Sequence, residues 1–304
     1  MTEFFPEGIL LNTSENKAAT SSLAALYEAM YKQKILEGRA VMCSKEHDLI
    51  VDLGGIRGVI PREEGALGIR EGYVRDIAVI TRVNRPVSFV VTDISDNKNV
   101  RLSRRLAQQL CSDNYISRLV PGDIINARIT HFESFGAFAD IGCGTAALLP
   151  ISNMSVSRIN HPSERFSVGE DIKAIVSSTE NGRICLSHKE LLGTWEENAS
   201  RFEIGQTVTG VIRSIESYGA FVELTPNLAG LAELKSGIRV GMQVSVYIKN
   251  IIPEKMKVKL IIIDSFESET NKPQNTGYFF TGTKINRFTY SPECCSRVIE
   301  TVFI

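Results

Sequence analysis

Hydrophobic and polar residues alternate along many short segments of this chain, a pattern typical of β-strands with one buried face. Ala220, Val222 and Leu224 fall on one face of such a segment. Phe221 and Glu223 fall on the opposite face. Because a large aromatic beside a carboxylate indicates contact with solvent, the segment predicts a half-buried strand that presents Phe221 outwards.

Turn signals divide the alternating segments into strand pairs. Asn181-Gly182, a dipeptide that favours tight hairpins, separates residues 172–176 from residues 183–187. Further strands are predicted on the same grounds at residues 77–80, 88–91, 100–103, 244–248 and 257–261. These short strands predict an all-β fold.

Short amphipathic helices are predicted between the groups of strands. Apolar residues at helical spacing predict one helix between Leu23 and Ile35, after a polar and irregular tail. Ser103 is a candidate N-cap for a second helix, and a third spans Leu191 to Phe202.

The pattern aromatic-Gly-Ala-Phe occurs twice, each time inside the same longer frame. It reads Phe135-Gly136-Ala137-Phe138 in one place and Tyr218-Gly219-Ala220-Phe221 in the other. A degenerate copy of the frame lies upstream, with residues 49–55 at the corresponding place. Repeats of this length indicate duplicated domains. With so few strands in each copy, closure into a small barrel is the natural way to remove sheet edges.

The repeat predicts three tandem five-stranded antiparallel barrels with short linker helices. A tail begins with a polar run at residues 267–275. The expected segments are a tail and helix (1–36), a degenerate first copy (37–112), a second copy (119–192), a third copy (203–264) and a C-terminal β appendage (265–304).

Composition narrows the classes of function. The net charge is −1 at pH 7, whereas proteins that grip duplex nucleic acid through its phosphates carry a basic excess. A nucleic-acid partner is therefore expected to be single-stranded and held by stacking and local patches. The chain lacks the phosphate-binding loop, the nucleophile elbow and the zinc-binding helix of common enzymes, so we expect no catalytic residues. The scattered histidines predict no metal site, and no cofactor is expected.

Cysteine usage and hydropathy bear on the compartment. The six cysteines include no Cys-x-x-Cys pair, which favours reduced thiols. No apolar run approaches the length of about 18 residues that crosses a membrane, and the N-terminus lacks the features of a signal peptide. We expect a cytoplasmic protein without a membrane partner.

The repeat resembles the S1 domain, the OB-fold RNA-binding module named for a bacterial 30S ribosomal protein. Gly205 to Leu224 meets almost fully the family frame Gly-x-x-Val-x-Gly-x-Val-x-x-Ile-x-x-Tyr-Gly-Ala-Phe-Val-x-Leu. The resemblance covers about residues 37–264 in three copies. It implies binding of single-stranded RNA, including mRNA, and a role in translation. The first copy resembles the ribosome-facing domains of the family, which implies contact with the small ribosomal subunit.

The family also implies an RNA-binding face of two aromatics, a histidine, an acid and a base. The histidine positions hold Pro150 and Glu233, and the acid positions hold Thr179 and Ile252. The first copy has His47, Asp48 and Ile50 in place of the aromatic motif, so we expect no RNA binding by this face. The aromatic and basic positions are Phe135, Phe138 and Arg183 in the second copy, and Tyr218, Phe221 and Lys257 in the third.

Each candidate residue has a plainer interpretation. The four motif aromatics would then be core residues, and Arg183 and Lys257 would be solvated surface charges. His131 is a further candidate for RNA contact. The alternative is that it is a surface histidine with no functional role. Trp195 is expected to anchor a linker helix on a barrel, against the alternative of a base-stacking residue.

Two other functions remain open. One is an RNA-binding regulator of RNA turnover or transcription outside the ribosome. The other is a protein-interaction scaffold, which would not lose RNA when the aromatics are removed.

Overall fold

The computed structural model describes residues 4–95, 99–266 and 277–304. The chain divides into two compact units. The first comprises the chain up to residue 119 together with residues 126–128 and 140–146. The second comprises residues 120–125, 129–139 and 147–304. The predicted polar run at 267–275 lies outside the described residues.

The first barrel begins after two helices. Helix α1 (Ser14–Thr20) and helix α2 (Leu23–Tyr31) precede it. Five strands then close in the order β1-β2-β3-β5-β4. Their bounds are β1 (Leu36–Cys43), β2 (Leu49–Asp52), β3 (Arg57–Ile60), β4 (Pro86–Ile94) and β5 (Val100–Ser103).

Helix α1 replaces the irregular tail that was expected before Leu23. The Thr13 side chain caps it by accepting the Asn16 N–H. The Asn16 side chain donates to the Glu37 carbonyl oxygen at 2.9 Å and accepts the Glu37 N–H at 2.8 Å. These long-range bonds fix a polar segment that has little helical signal of its own.

Residues 77–80 form a short helix, α3 (Ile77–Ile80), so the prediction of a strand there is wrong. An apolar run of four residues has no periodicity that separates a helix from a strand. Only Val79 of this run enters the core, and Arg62 pairs with the preceding Asp76 at 2.6 Å.

Helix α4 (Arg104–Asn114) follows the first barrel, and the Ser103 hydroxyl caps it by accepting the Leu106 N–H. The second barrel closes in the order β10-β8-β7-β6-β9. The expected hairpin at Asn181-Gly182 is confirmed, with a 3-10 turn between its two strands. The strands are β6 (Ile124–Glu133), β7 (Gly136–Asp140), β8 (Ala146–Pro150), β9 (Asp171–Ser178) and β10 (Cys185–Ser187).

The linker helix before the third barrel is shorter than predicted. It runs from Trp195 to Ala199 (α5) and starts at a capping box between Thr194 and Glu197. Gly193, with a φ of 85°, separates it from the preceding 3-10 turn. Trp195 is buried in the hydrophobic core of the third barrel, as its anchoring role requires.

The third barrel closes in the order β11-β12-β13-β15-β14. Its strands are β11 (Thr207–Glu216), β12 (Gly219–Thr225), β13 (Leu228–Ala232), β14 (Gln243–Ile252) and β15 (Lys257–Phe266). The C-terminal appendage adds a two-stranded sheet of β16 (Arg287–Thr289) and β17 (Glu300–Val302).

Within the described residues, the three expected five-stranded barrels are confirmed, and each is mixed rather than purely antiparallel. One parallel pair occurs in each barrel, formed by β3 with β5, β8 with β10, and β13 with β15. None of the helices in the described ranges has the length and apolar character that crossing a membrane requires.

Candidate nucleic-acid interface

The repeated motif lies at the turn from the first to the second strand in the second and third barrels. Its glycine stands where two strands approach closely. A Cβ on Gly136 would lie 2.5 Å from the Leu149 carbonyl oxygen, and one on Gly219 would lie 2.6 Å from the Ala232 carbonyl oxygen. Only glycine therefore fits at this position of either barrel.

The alanine of the motif sets the direction of the two aromatics. Ala137 and Ala220 are fully buried inside their barrels. Since neighbouring residues of a strand point to opposite faces, Phe138 and Phe221 point outwards, where both are half-buried. These residues are not part of the barrel cores.

The two barrels present the same pair of rings. Phe135 is 54% exposed and Tyr218 is 67% exposed. Phe135 meets Phe138 edge to face, with ring centroids 6.3 Å apart and planes at 84°. Tyr218 meets Phe221 in the same way, at 6.2 Å and 88°. Each pair thus offers two ring surfaces at right angles on the outside of its barrel.

His131 enlarges the aromatic surface of the second barrel. Its ring stacks on Phe138 with centroids 4.6 Å apart and planes at 7°. Its Nδ1 lies 3.2 Å from the Thr130 hydroxyl. On the third barrel, Ser214 is the β11 residue in register with Phe221, so this position carries a hydroxyl in place of a ring.

Both predicted basic residues, Arg183 and Lys257, are exposed, and each lies at or just before the last strand of its barrel. Arg183 follows the 3-10 turn of the hairpin and lines a shallow depression with Ser178, Glu180 and Cys185. Lys257 is the first residue of β15.

The register of the third barrel adds Lys259, which sequence reasoning missed. Phe221 pairs with Leu231, and Leu231 pairs with Lys259. Paired residues share a face, so Lys259 stands in the same outward row as Phe221, and Lys257 lies one pleat repeat away. Alternation in Lys257-Val258-Lys259 places both lysines outside, but the alignment depends on the parallel pairing. In the second barrel Cys185 pairs with Leu148 in the way that Lys259 pairs with Leu231.

The expected exposure of Glu223 beside Phe221 is wrong, because Glu223 is buried. Asp140, which follows Phe138 at the same distance in the second barrel, is buried as well. Asp140 accepts the Glu7 N–H at 2.7 Å and the Gly142 N–H at 2.8 Å. Burial, together with the nearby Glu7 carboxylate, raises the pKa of Asp140 to about 7. The outward face of the strand is therefore open at the phenylalanine and covered at the carboxylate.

Glu223 is covered by the segment of residues 151–170 between β8 and β9 of the second barrel, here called the insert, and is held by two arginines. Arg165, from that insert, donates from Nη1 to Glu223 at 2.7 Å, and Arg213 of β11 donates from Nε at 2.6 Å. Arg213 also pairs with Glu164 of the insert. Arg165 donates in addition to the Ser155 hydroxyl at 2.8 Å.

Backbone contacts complete this junction between the second and third barrels. The Ser157 N–H donates to the Pro226 carbonyl oxygen at 3.0 Å. The Val156 N–H donates to the Asn227 side-chain oxygen at 3.1 Å. The insert thus fixes the second barrel to the third at the Glu223 end of strand β12, and it leaves the Tyr218 end open.

Comparison with known proteins assigns the middle of the chain to a family. Residues 119–189 match the family model of the S1 RNA binding domain. The chain contains an S1 domain. These residues hold the whole second barrel, from before β6 to beyond β10.

The curated relatives extend the similarity over most of the chain. A region of 245 residues is 29% identical to small ribosomal subunit protein bS1 of Leuconostoc lactis and covers 74% of this chain and 54% of that protein. A region of 267 residues is 29% identical to bS1 of Staphylococcus aureus (strain COL) and covers 82% of this chain and 66% of that protein. The chain thus spans about half to two thirds of the length of these relatives.

Among solved structures, the chain is similar to a multidomain protein with nucleic acid binding domains from Streptococcus pneumoniae. The two are 14% identical in sequence, and the match covers 78% of this chain and 75% of the other. Its TM-score against this chain is 0.25.

Replacing Glu223 by Gln should destabilise the second unit. The substitution keeps the shape of the side chain but leaves Arg165 and Arg213 buried without its charge. Breaking a buried ion pair on one side costs about 3–5 kcal/mol. Urea denaturation of the full chain measures the change.

The matched control is Glu216→Gln, which alters an exposed carboxylate at the end of β11. Equal loss of unfolding free energy in the two variants would contradict the role assigned to Glu223.

Proposed function

We propose that this protein binds single-stranded RNA by stacking bases on the aromatic pairs of its second and third barrels. The observation that carries the proposal is the same outward edge-to-face pair in both barrels, Phe135 with Phe138 and Tyr218 with Phe221. Every base has a π-face, so such a surface tolerates many sequences. The similarity of residues 119–189 to the S1 RNA binding domain supports the same function.

Basic side chains of the same two barrels supply the electrostatic part of RNA binding. The chain as a whole carries no basic excess, so we assign the phosphate contacts to the exposed side chains of Arg183, Lys257 and Lys259. His131 adds to the second barrel a ring parallel to Phe138, and we assign it a contact with a base or sugar at the edge of the stacking surface. Affinity is then moderate and sequence preference slight.

The junction at Glu223 lets the two aromatic pairs act on the same RNA molecule. Because Arg165 and Arg213 join the two barrels within one compact unit, an RNA that reaches both pairs binds the second one intramolecularly. Linked sites raise the effective concentration of the second contact without any new interaction. We therefore assign one continuous RNA to the two pairs.

The biological setting is proposed from the relatives, whose name is small ribosomal subunit protein bS1. By analogy we assign this chain to translation in the cytoplasm, with mRNA as its RNA and the small ribosomal subunit as its partner. The alternative is an RNA-binding regulator outside the ribosome, and sedimentation of the chain with small subunits distinguishes the two.

The first barrel is proposed as the domain that contacts the ribosome. At the place of Phe221 in the third barrel, the first barrel has Ile50, which is buried and pairs with Met42 and Val59. A β-bulge after Ala40 turns both Val41 and Met42 outwards, and Met42 is 48% exposed. Exposed apolar neighbours indicate a protein contact rather than base stacking.

Replacing Phe138 and Phe221 together by Ala should weaken RNA binding by roughly 2–6 kcal/mol, because each stacked base contributes about 1–3 kcal/mol. Fluorescence anisotropy of the full chain with a labelled unstructured RNA measures the dissociation constant.

Tyr31→Ala with Tyr73→Ala is the control, since both tyrosines are exposed and belong to the first unit, whereas the two aromatic pairs belong to the second. An unchanged dissociation constant for the double phenylalanine variant, with the fold intact by circular dichroism, would refute stacking and favour a protein scaffold.

Met42→Asp should separate the two proposed activities. A charge at the exposed apolar position should release the chain from small subunits in a sucrose gradient, while the affinity of the free chain for RNA stays the same. Co-sedimentation that persists in this variant would show that the ribosome contact lies elsewhere.

A further inference from the structure

The outer face of the third barrel continues beyond its aromatic pair. From Phe221 the outward row passes through Leu231 to Lys259. Two residues further along β15, Ile261 points outwards and pairs with Tyr247 of β14. Tyr247 in turn pairs with Thr207 at the start of β11.

The direction of this continuation follows from the strand pairings. Phe221 pairs with Leu231, and Ala220 pairs with Ala232. Moving from Phe221 to Ala220 on β12, towards Tyr218, is therefore the same direction as moving from Leu231 to Ala232 on β13. The parallel pairing of β13 with β15 carries the same direction from Lys259 to Ile261. Relative to Lys259, Ile261 and its partner Tyr247 are therefore displaced in the strand direction that leads from Phe221 towards Tyr218.

The surface along this line has the chemistry of a single-strand binding site. Tyr247 is 37% exposed, and two exposed lysines lie near it in register: Lys249 two residues along β14, and Lys259 two residues before its partner Ile261 on β15. Adjacent strands lie about 4.8 Å apart, so the three strand steps from Phe221 to Tyr247 span about 14 Å. Cations beside exposed rings are the combination that holds phosphates and stacked bases.

The second barrel lacks an equivalent surface among the described residues. The extended outer face is therefore particular to the third barrel and does not belong to the repeat as such. The pair that corresponds to Ile261 and Tyr247 is Ser187 and Ile175. Ile175 is fully buried beneath Leu191, Ile285 and Phe303. The position of Lys259 holds Cys185. The C-terminal segment thus covers on one barrel what stays open on the other.

We propose that the third barrel carries an extended RNA track that runs from Tyr218 and Phe221 across Lys259 to Tyr247, where an additional base stacks. The track rests on the function proposed above, and it makes the third barrel's RNA footprint longer than that of the second. Lys259 binds the phosphate between the aromatic pair and Tyr247.

The test uses the full chain and a series of labelled oligouridines of increasing length. Tyr247→Ala should weaken binding by roughly 5- to 100-fold for oligomers long enough to reach Tyr247. It should leave the shortest oligomers that bind unaffected. Tyr247→Phe should keep the affinity. Tyr247→Leu keeps apolar bulk but not the ring, so it should lose affinity as Ala does.

Lys259→Ala should reduce the slope of log affinity against log salt by about 0.7, the value for one phosphate contact on a single strand. Tyr31→Ala and Lys45→Ala replace exposed side chains of the first unit and serve as matched controls.

Phe221→Ala separates failure of the track from failure of the proposed function. If Phe221→Ala weakens binding while Tyr247→Ala and Tyr247→Leu bind every oligomer like the unmodified chain, the track is refuted and stacking on the aromatic pair stands. If neither Phe221→Ala nor the Tyr247 variants change the affinity, both proposals are refuted.

Discussion

The close approach of two strands at one glycine is the constraint on which the outer surface of the second and third barrels depends. At Gly136 and Gly219 a side chain would collide with a carbonyl oxygen of the neighbouring strand. The next residue, an alanine, fills the small interior. Strand alternation then leaves only the outside for the flanking aromatics. The same four residues thus close the barrel and create the surface to which we assign RNA binding.

The carboxylate two residues after the second aromatic shows how one strand face serves two purposes. Glu223 lies on the outer side with Phe221 but is buried against Arg165 and Arg213. Asp140 is likewise buried, at the Glu7 backbone. One end of the strand face is therefore used for internal contacts and the other remains available to a ligand. Removing the ion pairs would loosen the relation between the two aromatic pairs without touching either pair.

Much of the fold was predictable because local signals agree with it. The repeat, the strand alternation, the turn at Asn181-Gly182 and the cap at Ser103 all have short-range causes. The helix at residues 77–80 was not predictable, since a short apolar run fits either structure. Helix α1 was missed because its stability depends on bonds between Asn16 and the distant Glu37.

The candidate site was predictable in part for the same reason. The outward direction of Phe138 and Phe221 follows from alternation, and the structure places them so. The burial of Asp140 and Glu223 depends on partners far away in sequence, Glu7 and Arg165, which no local pattern indicates. The alignment of Lys259 with Phe221 depends on a parallel strand pairing, whose register the sequence does not determine.

Ultraviolet cross-linking of the full chain to an unstructured RNA, followed by mass spectrometry of the adducts, tests most directly whether RNA lies on the aromatic pairs. We expect nucleotide adducts on the peptides that contain Phe135 with Phe138 and Tyr218 with Phe221. Adducts concentrated between residues 36 and 103, in the first barrel, with none on those two peptides, would contradict RNA binding by the aromatic pairs.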